Sequence, residues 1–347
     1  MVNTEGPMIR SVGSLATLIA AVVLSLPHLA GATPPPCGTV ARARIVVSGT
    51  MSCSGPALIA GADGITIDLR NAQIKGTGTS QVPAIAVDVN GYNNVTVLKG
   101  VIVNFMTGIR FSDATGGTIQ GTIVQKSATA ILVESSSDLD INVVVIQTST
   151  VAAIVINQSS SVTVSKGSIK TGAGIKVTDS PGTVLYNSTV IQCAGDGITI
   201  SGASSESLIT GSTVKQCTGN GIVVRSDAVD LYNDISNENL GVGIIAENPV
   251  ADGGEIEIGL GSANSNHGDG IFSSGPVLYN YVTANYNWGH GINADDAALD
   301  AFTLGLTAPD RTFPLPNVAK GNKIPPQCVV PVGFVCVTQF TVTTPPR

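Results

Sequence analysis

The sequence predicts an all-β solenoid in which short strands stack coil upon coil, and three observations lead to this prediction. Glycine makes up 40 of the 347 residues and charged residues only 12%, which is an unusual balance for a helical bundle. Aromatic residues reach only 4% although 43% of the chain is hydrophobic, so the core must consist mainly of Val, Ile, Leu and Ala. An isoleucine preceded by a small residue also recurs about every 23 residues, which indicates a repeat architecture.

The isoleucine repeat defines the coils. Its clearest copies run from Ser188 to Ile198 and from Ser212 to Ile222, and they match position by position. Gly, Ser, Thr and Asn interrupt the chain at short intervals, and apolar residues alternate between them, which excludes helical repeats. The leucine pattern of leucine-rich repeats is absent, so a parallel β-helix remains. The repeated isoleucines are Ile85, Ile109, Ile131, Ile154, Ile175, Ile198, Ile222, Ile244, Ile271 and Ile292.

This repeat, together with the segment from Leu58 to Ile74, resembles right-handed parallel β-helix proteins of the pectin-lyase-like superfamily, in particular members with short parallel β-helix repeats. The resemblance spans roughly residues 37–298. It implies a single-stranded right-handed parallel β-helix of about 10–11 coils of about 23 residues, capped at both ends. It implies no particular chemistry, because the superfamily includes lyases, hydrolases, epimerases, tailspikes, adhesins and metal-delivery accessory proteins.

The two ends of the chain differ from the repeat. A start with few charges, an apolar stretch from Leu15 to Leu26 and an Ala30-Gly31-Ala32 site predict a signal peptide at 1–32, and hence a secreted or periplasmic protein. The apolar stretch is too short to span a membrane, and no later segment qualifies. We expect an N-terminal cap and first coil at 33–83, the β-helix at 84–298 and a Pro-rich C-terminal tail or cap at 299–347.

The cysteines fall into three pairs that are local in sequence, and none has the spacing of a metal site. In an exported chain this arrangement predicts three disulfides. Cys193 and Cys217 occupy the same position of the two clearest copies, so stacking should place their Cα atoms about 4.8 Å apart, within disulfide range. The predicted pairs are Cys37 with Cys53, Cys193 with Cys217, and Cys328 with Cys336.

A candidate site lies on the last two regular coils. Six of the chain's fourteen aromatic residues fall between Phe272 and Phe302, among them the single Trp. Counting back from Ile271 and Ile292 predicts that Asp269 stacks on His290 and that His267 stacks on Trp288. Aromatic rings with carboxylates and imidazoles suit a sugar-binding groove. The candidate catalytic residues are Asp269, His290, Asp295 and Asp296, and the candidate substrate-binding residues are His267, Tyr279, Tyr281, Tyr286 and Trp288.

The chemistry of this patch stays open at this point, including whether the protein is an enzyme. Paired aspartates would suit glycoside hydrolysis, whereas lyase or epimerase chemistry on a uronate needs a neutralising cation, and no Arg or Lys occurs from 226 to 310. Bound Ca²⁺ could supply that charge. Of the polygalacturonase motifs only Gly289-His290-Gly291 and an out-of-order Asp295-Asp296 are present, and the motifs of alginate epimerases and pectate lyases are missing.

The sequence therefore leaves three functional hypotheses. The first is an extracellular or cell-surface module that binds polysaccharide. The second is a polysaccharide lyase, hydrolase or uronate epimerase that acts through the C-terminal coils, and the third is a periplasmic metal-delivery accessory protein, which the lack of a Met/His cluster disfavours. A net charge of −7 without a basic run predicts no nucleic-acid partner, and we expect a monomer.

Overall fold

The computed structural model describes residues 33–70, 72–77, 84–250, 254–294, 299–300, 317–330 and 336–338. Within these ranges the chain consists of short strands, turns and bends, without a helix. The strands form three long parallel sheets, which make a solenoid of about 11 coils of roughly 22 residues. The predicted signal peptide at 1–32 lies outside the described residues. No helix in the described ranges is long and apolar enough to cross a membrane.

The first nine coils contribute one strand to each sheet, with a turn between successive strands, and the next two coils reach the third sheet only through single bridges at Ser262 and Thr283. The first sheet contains β1 (Thr39–Ala41), β4 (Leu58–Ala60), β7 (Ile85–Asn90), β10 (Thr107–Ser112), β13 (Thr129–Glu134), β16 (Ala152–Asn157), β19 (Ile175–Thr178), β22 (Ile198–Ser201), β25 (Ile222–Arg225), β28 (Ile244–Glu247), β30 (Ile271–Ser274), β32 (Ile292–Ala294) and β35 (Cys328–Val329).

The second sheet contains β2 (Ile45–Val46), β5 (Thr66–Asp68), β8 (Val95–Leu98), β11 (Thr115–Gln120), β14 (Ser137–Asn142), β17 (Thr163–Ser165), β20 (Val184–Tyr186), β23 (Ser207–Thr210), β26 (Val229–Tyr232), β29 (Ile256–Gly259), β31 (Val277–Asn280) and β33 (Leu299–Asp300). The third contains β3 (Gly49–Cys53), β6 (Ala72–Gly76), β9 (Val101–Val103), β12 (Ile123–Gln125), β15 (Val145–Gln147), β18 (Ser168–Lys170), β21 (Thr189–Ile191), β24 (Thr213–Lys215) and β27 (Ile235–Asn237). A separate parallel pair joins β34 (Asn317–Val318) to β36 (Cys336–Val337).

The isoleucine row predicted from the repeat runs along the first sheet and is buried. Every step from Ile109 to Ile292 pairs the predicted residues. The first predicted step is wrong, because Ile109 pairs with Val87 and Ile85 pairs with Thr107. A shift of two residues keeps the same side chains facing inward, so the hydrophobic pattern could not distinguish the two registers.

A ladder of buried asparagine side chains stiffens the C-terminal coils. The Nδ2 of Asn239 donates to the Oδ1 of Asn266 at 3.0 Å, Asn266 donates to Asn287 at 3.1 Å, and Asn287 donates to Asn322 at 3.1 Å. The Cys193–Cys217 disulfide, with a Cα–Cα distance of 4.4 Å, continues this row, because the Oδ1 of Asn239 accepts a bond from the backbone N–H of Cys217. Buried amides that satisfy one another and the backbone tie successive coils together.

Both ends of the solenoid carry the other predicted disulfides, Cys37–Cys53 and Cys328–Cys336. At the first coils Asp68 is buried and bonded to Arg44 and Arg70. These bonds lower the pKa of the Asp68 carboxyl to about 2, chiefly through the side-chain hydrogen bond from Arg70.

At the other end the described part of the predicted tail forms one more layer of the solenoid. Val318 bridges Thr283, and β35 pairs with β32. This layer places Asn322 at the end of the asparagine ladder.

Candidate functional site

The predicted stacking of His267 on Trp288 is present at the surface of the C-terminal coils. Their ring centroids lie 4.7 Å apart, with an angle of 20° between the planes. Each ring directly follows an asparagine of the buried ladder, Asn266 or Asn287, so the ladder sets the spacing of the rings. His267 is exposed, and half of the Trp288 surface remains accessible to solvent.

The next layer adds a lysine to this stack. Lys323 follows Asn322, the next ladder residue, and its Nζ lies 3.0 Å from the centroid of the Trp288 ring. An ammonium over an indole face is attracted by the negative charge of the π system. We refer to His267, Trp288 and Lys323 as the surface column. Lys323 supplies the cation that residues 226–310 lack. His267 and Lys323 together cover both faces of the Trp288 ring.

Asp269 and His290 are also neighbours, as predicted, but the contact runs through the backbone. The Oδ1 of Asp269 accepts a bond of 2.7 Å from the backbone N–H of His290, and its Oδ2 accepts one of 2.9 Å from the Nδ2 of Asn293. The Nδ1 of His290 lies 2.8 Å from the carbonyl oxygen of Pro326. A carbonyl only accepts, so Nδ1 carries the proton and the lone pair of the neutral ring is on Nε2. Asp269 therefore holds the turn in place.

The remaining predicted site residues differ in their exposure to solvent and in whether the structure describes them. Tyr279 is fully buried in the core, which rules out contact with a ligand outside the solenoid and corrects its assignment to substrate binding. Tyr281 is half-buried at a turn, with φ of 53°. Tyr286 is 60% exposed and lies beside Gly321, where an added Cβ would approach the Tyr286 ring to 2.7 Å. Asp295 and Asp296 lie outside the described residues.

A Ca²⁺ site would need several carboxylate or other oxygen ligands grouped on these coils. In the part of the chain that the structure describes, three or more His, Cys, Asp or Glu side chains are nowhere grouped so that they could hold a metal ion. Asp295 and Asp296, which such a site would use, lie outside that part.

A second concave surface, which the sequence analysis missed, lies on the outer face of the second sheet. This surface, which we call the acidic groove, has a volume of about 310 Å³. Its central feature is Asp230 on β26, which pairs in register with Glu257 on β29. The coil between these strands is 27 residues long, and counting one such step from Asp230 to Glu257 could have revealed the pair in the sequence. The lining residues are Leu208, Thr210, Asp230, Leu231, Tyr232 and Glu257.

The two carboxyl groups of the acidic groove hold their protons more tightly than ordinary carboxyls. Partial desolvation raises the pKa of Asp230. Desolvation also raises the pKa of Glu257, and the negative charges of Asp230 and Glu255 raise it further, while a hydrogen bond from Asn280 acts in the opposite direction. The lining of the groove contains these two carboxyl groups and no Lys or Arg, so their negative charge is not balanced there.

Comparison with known proteins settles the fold. Residues 107–251 match the family of proteins described as having a right-handed beta helix region. This protein is a right-handed parallel β-helix. The right-handed parallel β-helix expected from the repeat is thereby confirmed. No curated protein matches the sequence.

Two solved structures illustrate how far the likeness of this β-helix extends. A double mutant of a periplasmic alginate epimerase is 12% identical, with a TM-score of 0.59 over 83% of this chain and 77% of that one. The A-module of a mannuronan C-5 epimerase from Azotobacter vinelandii is 13% identical, with a TM-score of 0.52 over 84% of this chain and 92% of that one. Identities this low establish a shared fold and no more.

Proposed function

We propose that this β-helix is an extracytoplasmic protein that binds an acidic polysaccharide through its surface column. The observation that carries the proposal is the position of the Lys323 ammonium, 3.0 Å from the centroid of an exposed Trp288 ring that stacks on His267. A sugar carboxylate can pair with Lys323 while the sugar's C–H groups contact the indole edge. Tyr286, exposed on the same coil, extends the aromatic surface.

Two further observations agree with this proposal. The two solved structures that share the fold are named for epimerases of alginate and of mannuronan, which makes a uronate polymer the first ligand to test. The three disulfides suit an oxidising compartment outside the cytoplasm. We expect the protein to act as a monomer and to have no nucleic-acid partner.

Catalysis on the same polymer is the second candidate function. It is favoured by the orientation of His290, whose ring is held through Nδ1 so that Nε2 carries the lone pair needed by a general base. Asp269 is disfavoured as an acid or nucleophile, because both of its oxygens already accept hydrogen bonds. A uronate-lyase assay and proton NMR of the incubated polymer would detect elimination and C5 epimerisation, respectively.

Binding to immobilised alginate and polygalacturonate tests the proposal. We expect Trp288→Ala and Lys323→Gln each to weaken binding about tenfold, which corresponds to about 1.4 kcal/mol. Lys170→Gln is the matched control, because Lys170 is also exposed and lies at the end of β18, outside the column. Unchanged binding in both column variants, or an equal loss in the control, would contradict the proposal.

A further inference from the structure

The acidic groove is a concave surface with an aromatic wall. Its volume of about 310 Å³ lies at the lower end of the range for small-molecule sites. Leu208 contributes apolar lining, and Thr210 contributes a hydroxyl. The groove therefore combines apolar surface with a few polar groups, as small-molecule sites do.

The position of Tyr232 depends on a glycine in the next coil. Tyr232 pairs with Gly259 across the sheet, and a Cβ added at Gly259 would approach the Cδ2 of Tyr232 to 2.9 Å. The ring therefore lies over the position that a side chain would otherwise occupy. This leaves an aromatic surface beside Asp230 and Glu257, which flank it on the same two strands.

The negative charge of the acidic groove favours a positively charged ligand. Asp230 and Glu257 pair in register on adjacent parallel strands, so their Cα atoms are about 4.8 Å apart. No Lys or Arg is present among the residues that line the groove, and the charges that act on Glu257 come from Asp230 and Glu255. A uronate would be repelled here, whereas an ammonium would neutralise two partly desolvated carboxylates and would also be attracted to the tyrosine ring.

We propose that the acidic groove binds an amino-sugar unit of a polysaccharide, with its ammonium between Asp230 and Glu257 and its ring against Tyr232. The groove is a separate site from the surface column and has the opposite charge preference. The ligand class is a polymer that carries free amino groups, such as one built of glucosamine.

Calorimetric titration of the full-length protein with a glucosamine oligomer tests the proposal at a mildly acid pH, where the amines are protonated. We expect Glu257→Gln and Tyr232→Ala each to weaken binding about tenfold. Asp140→Asn is the matched control, because Asp140 lies exposed in the same outward-facing row of the second sheet but outside the groove. The N-acetylated oligomer of the same length, which lacks the charge, should bind at least tenfold more weakly.

The results distinguish this site from the surface column. Trp288→Ala should leave the affinity for the glucosamine oligomer unchanged while it weakens binding of the acidic polymers. Equal affinity for the charged and the acetylated oligomers would overturn the proposal. So would a loss in Asp140→Asn equal to that in Glu257→Gln, since this would indicate diffuse attraction to an acidic protein.

Discussion

The rings of His267 and Trp288 stack with their centroids 4.7 Å apart because the residues that precede them, Asn266 and Asn287, are hydrogen-bonded inside the solenoid. The exposed column is thus set by a buried ladder. Any change that loosens the ladder should be detectable at the surface, and Trp288, the only tryptophan of the chain, provides the signal.

Asn266→Ala should disturb both the ladder and the column. The Asn266 side chain accepts from the backbone N–H and the Nδ2 of Asn239, and it donates to the carbonyl of Ser236 and to Asn287. Because buried groups would lose their partners, we expect unfolding free energy to fall by about 3 kcal/mol and the Trp288 emission to shift. Asn264→Ala is the control, since Asn264 is half-exposed. Identical urea melts and emission spectra for the two variants would contradict this prediction.

Removal of the Cys193–Cys217 disulfide should destabilise the middle of the solenoid. The bond joins residues 24 apart, and closing a loop of that size is worth about 3.5 kcal/mol in the chain-entropy model. We therefore expect a double Cys→Ser variant to unfold at lower urea concentration. A double Cys→Asn variant should recover part of the loss, because it extends the asparagine ladder by two residues. The prediction is wrong if the Ser and Asn variants are equally stable.

Asp234 should make the protein less stable as pH rises. Burial raises the pKa of this carboxyl from 3.8 to about 7. Its Oδ1 accepts from the backbone N–H of Ser212, and its Oδ2 has no hydrogen-bond partner among the described residues. Between pH 3.8 and about 7 the folded state therefore binds a proton that the unfolded state has released, and stability falls across this window by up to about 4 kcal/mol.

Asp234→Asn keeps an acceptor for the backbone N–H of Ser212 and removes the titrating carboxyl. The stability of this variant should therefore vary less between pH 3.8 and about 7, and above pH 7 the variant should be more stable than the wild type. Asp68→Asn is the opposite control. The pKa of Asp68 is lowered to about 2, so the contribution of its carboxylate to folding stability is complete above pH 3.8 and is lost as the pH falls toward about 2. Urea melts over a pH series measure both effects, and a wild-type profile parallel to that of Asp234→Asn would exclude the expected role.

Two neighbouring positions on β22 test the register of the first sheet. Ile198 is fully buried between Ile175 and Ile222, whereas Thr199 is only partly covered on the outward face. Ile198→Asp places an unpaired charge in the core, and we expect it to cost several kcal/mol. Thr199→Asp should change the melting temperature little. Equal thermal melts for the two variants would mean that the assigned faces are reversed.

The sequence by itself determined the solenoid, the pairing of the cysteines and the stack of His267 on Trp288. The physical reason is that residues one coil apart in an uninterrupted repeat become neighbours at about 4.8 Å, so counting along the chain is equivalent to measuring distance. The same reasoning failed at Ile85, where a shift of two residues preserved the inward face. It also could not place Tyr279, which pairs with Ile258 and faces the core although its size and hydroxyl suggested a surface role.

Only the tertiary structure decided which cation joins the surface column, and a count at the average period missed the carboxyl pair of the acidic groove. Lys323 reaches Trp288 from a layer that follows the end of the regular repeat, so no count of coils predicts the contact. Asp230 and Glu257 meet across a coil that is longer than its neighbours, which hides the pair from a search at the average period. Where a coil differs in length from the average repeat, the strand register is set by hydrogen bonding and side-chain packing across the sheet. These are properties of the folded protein.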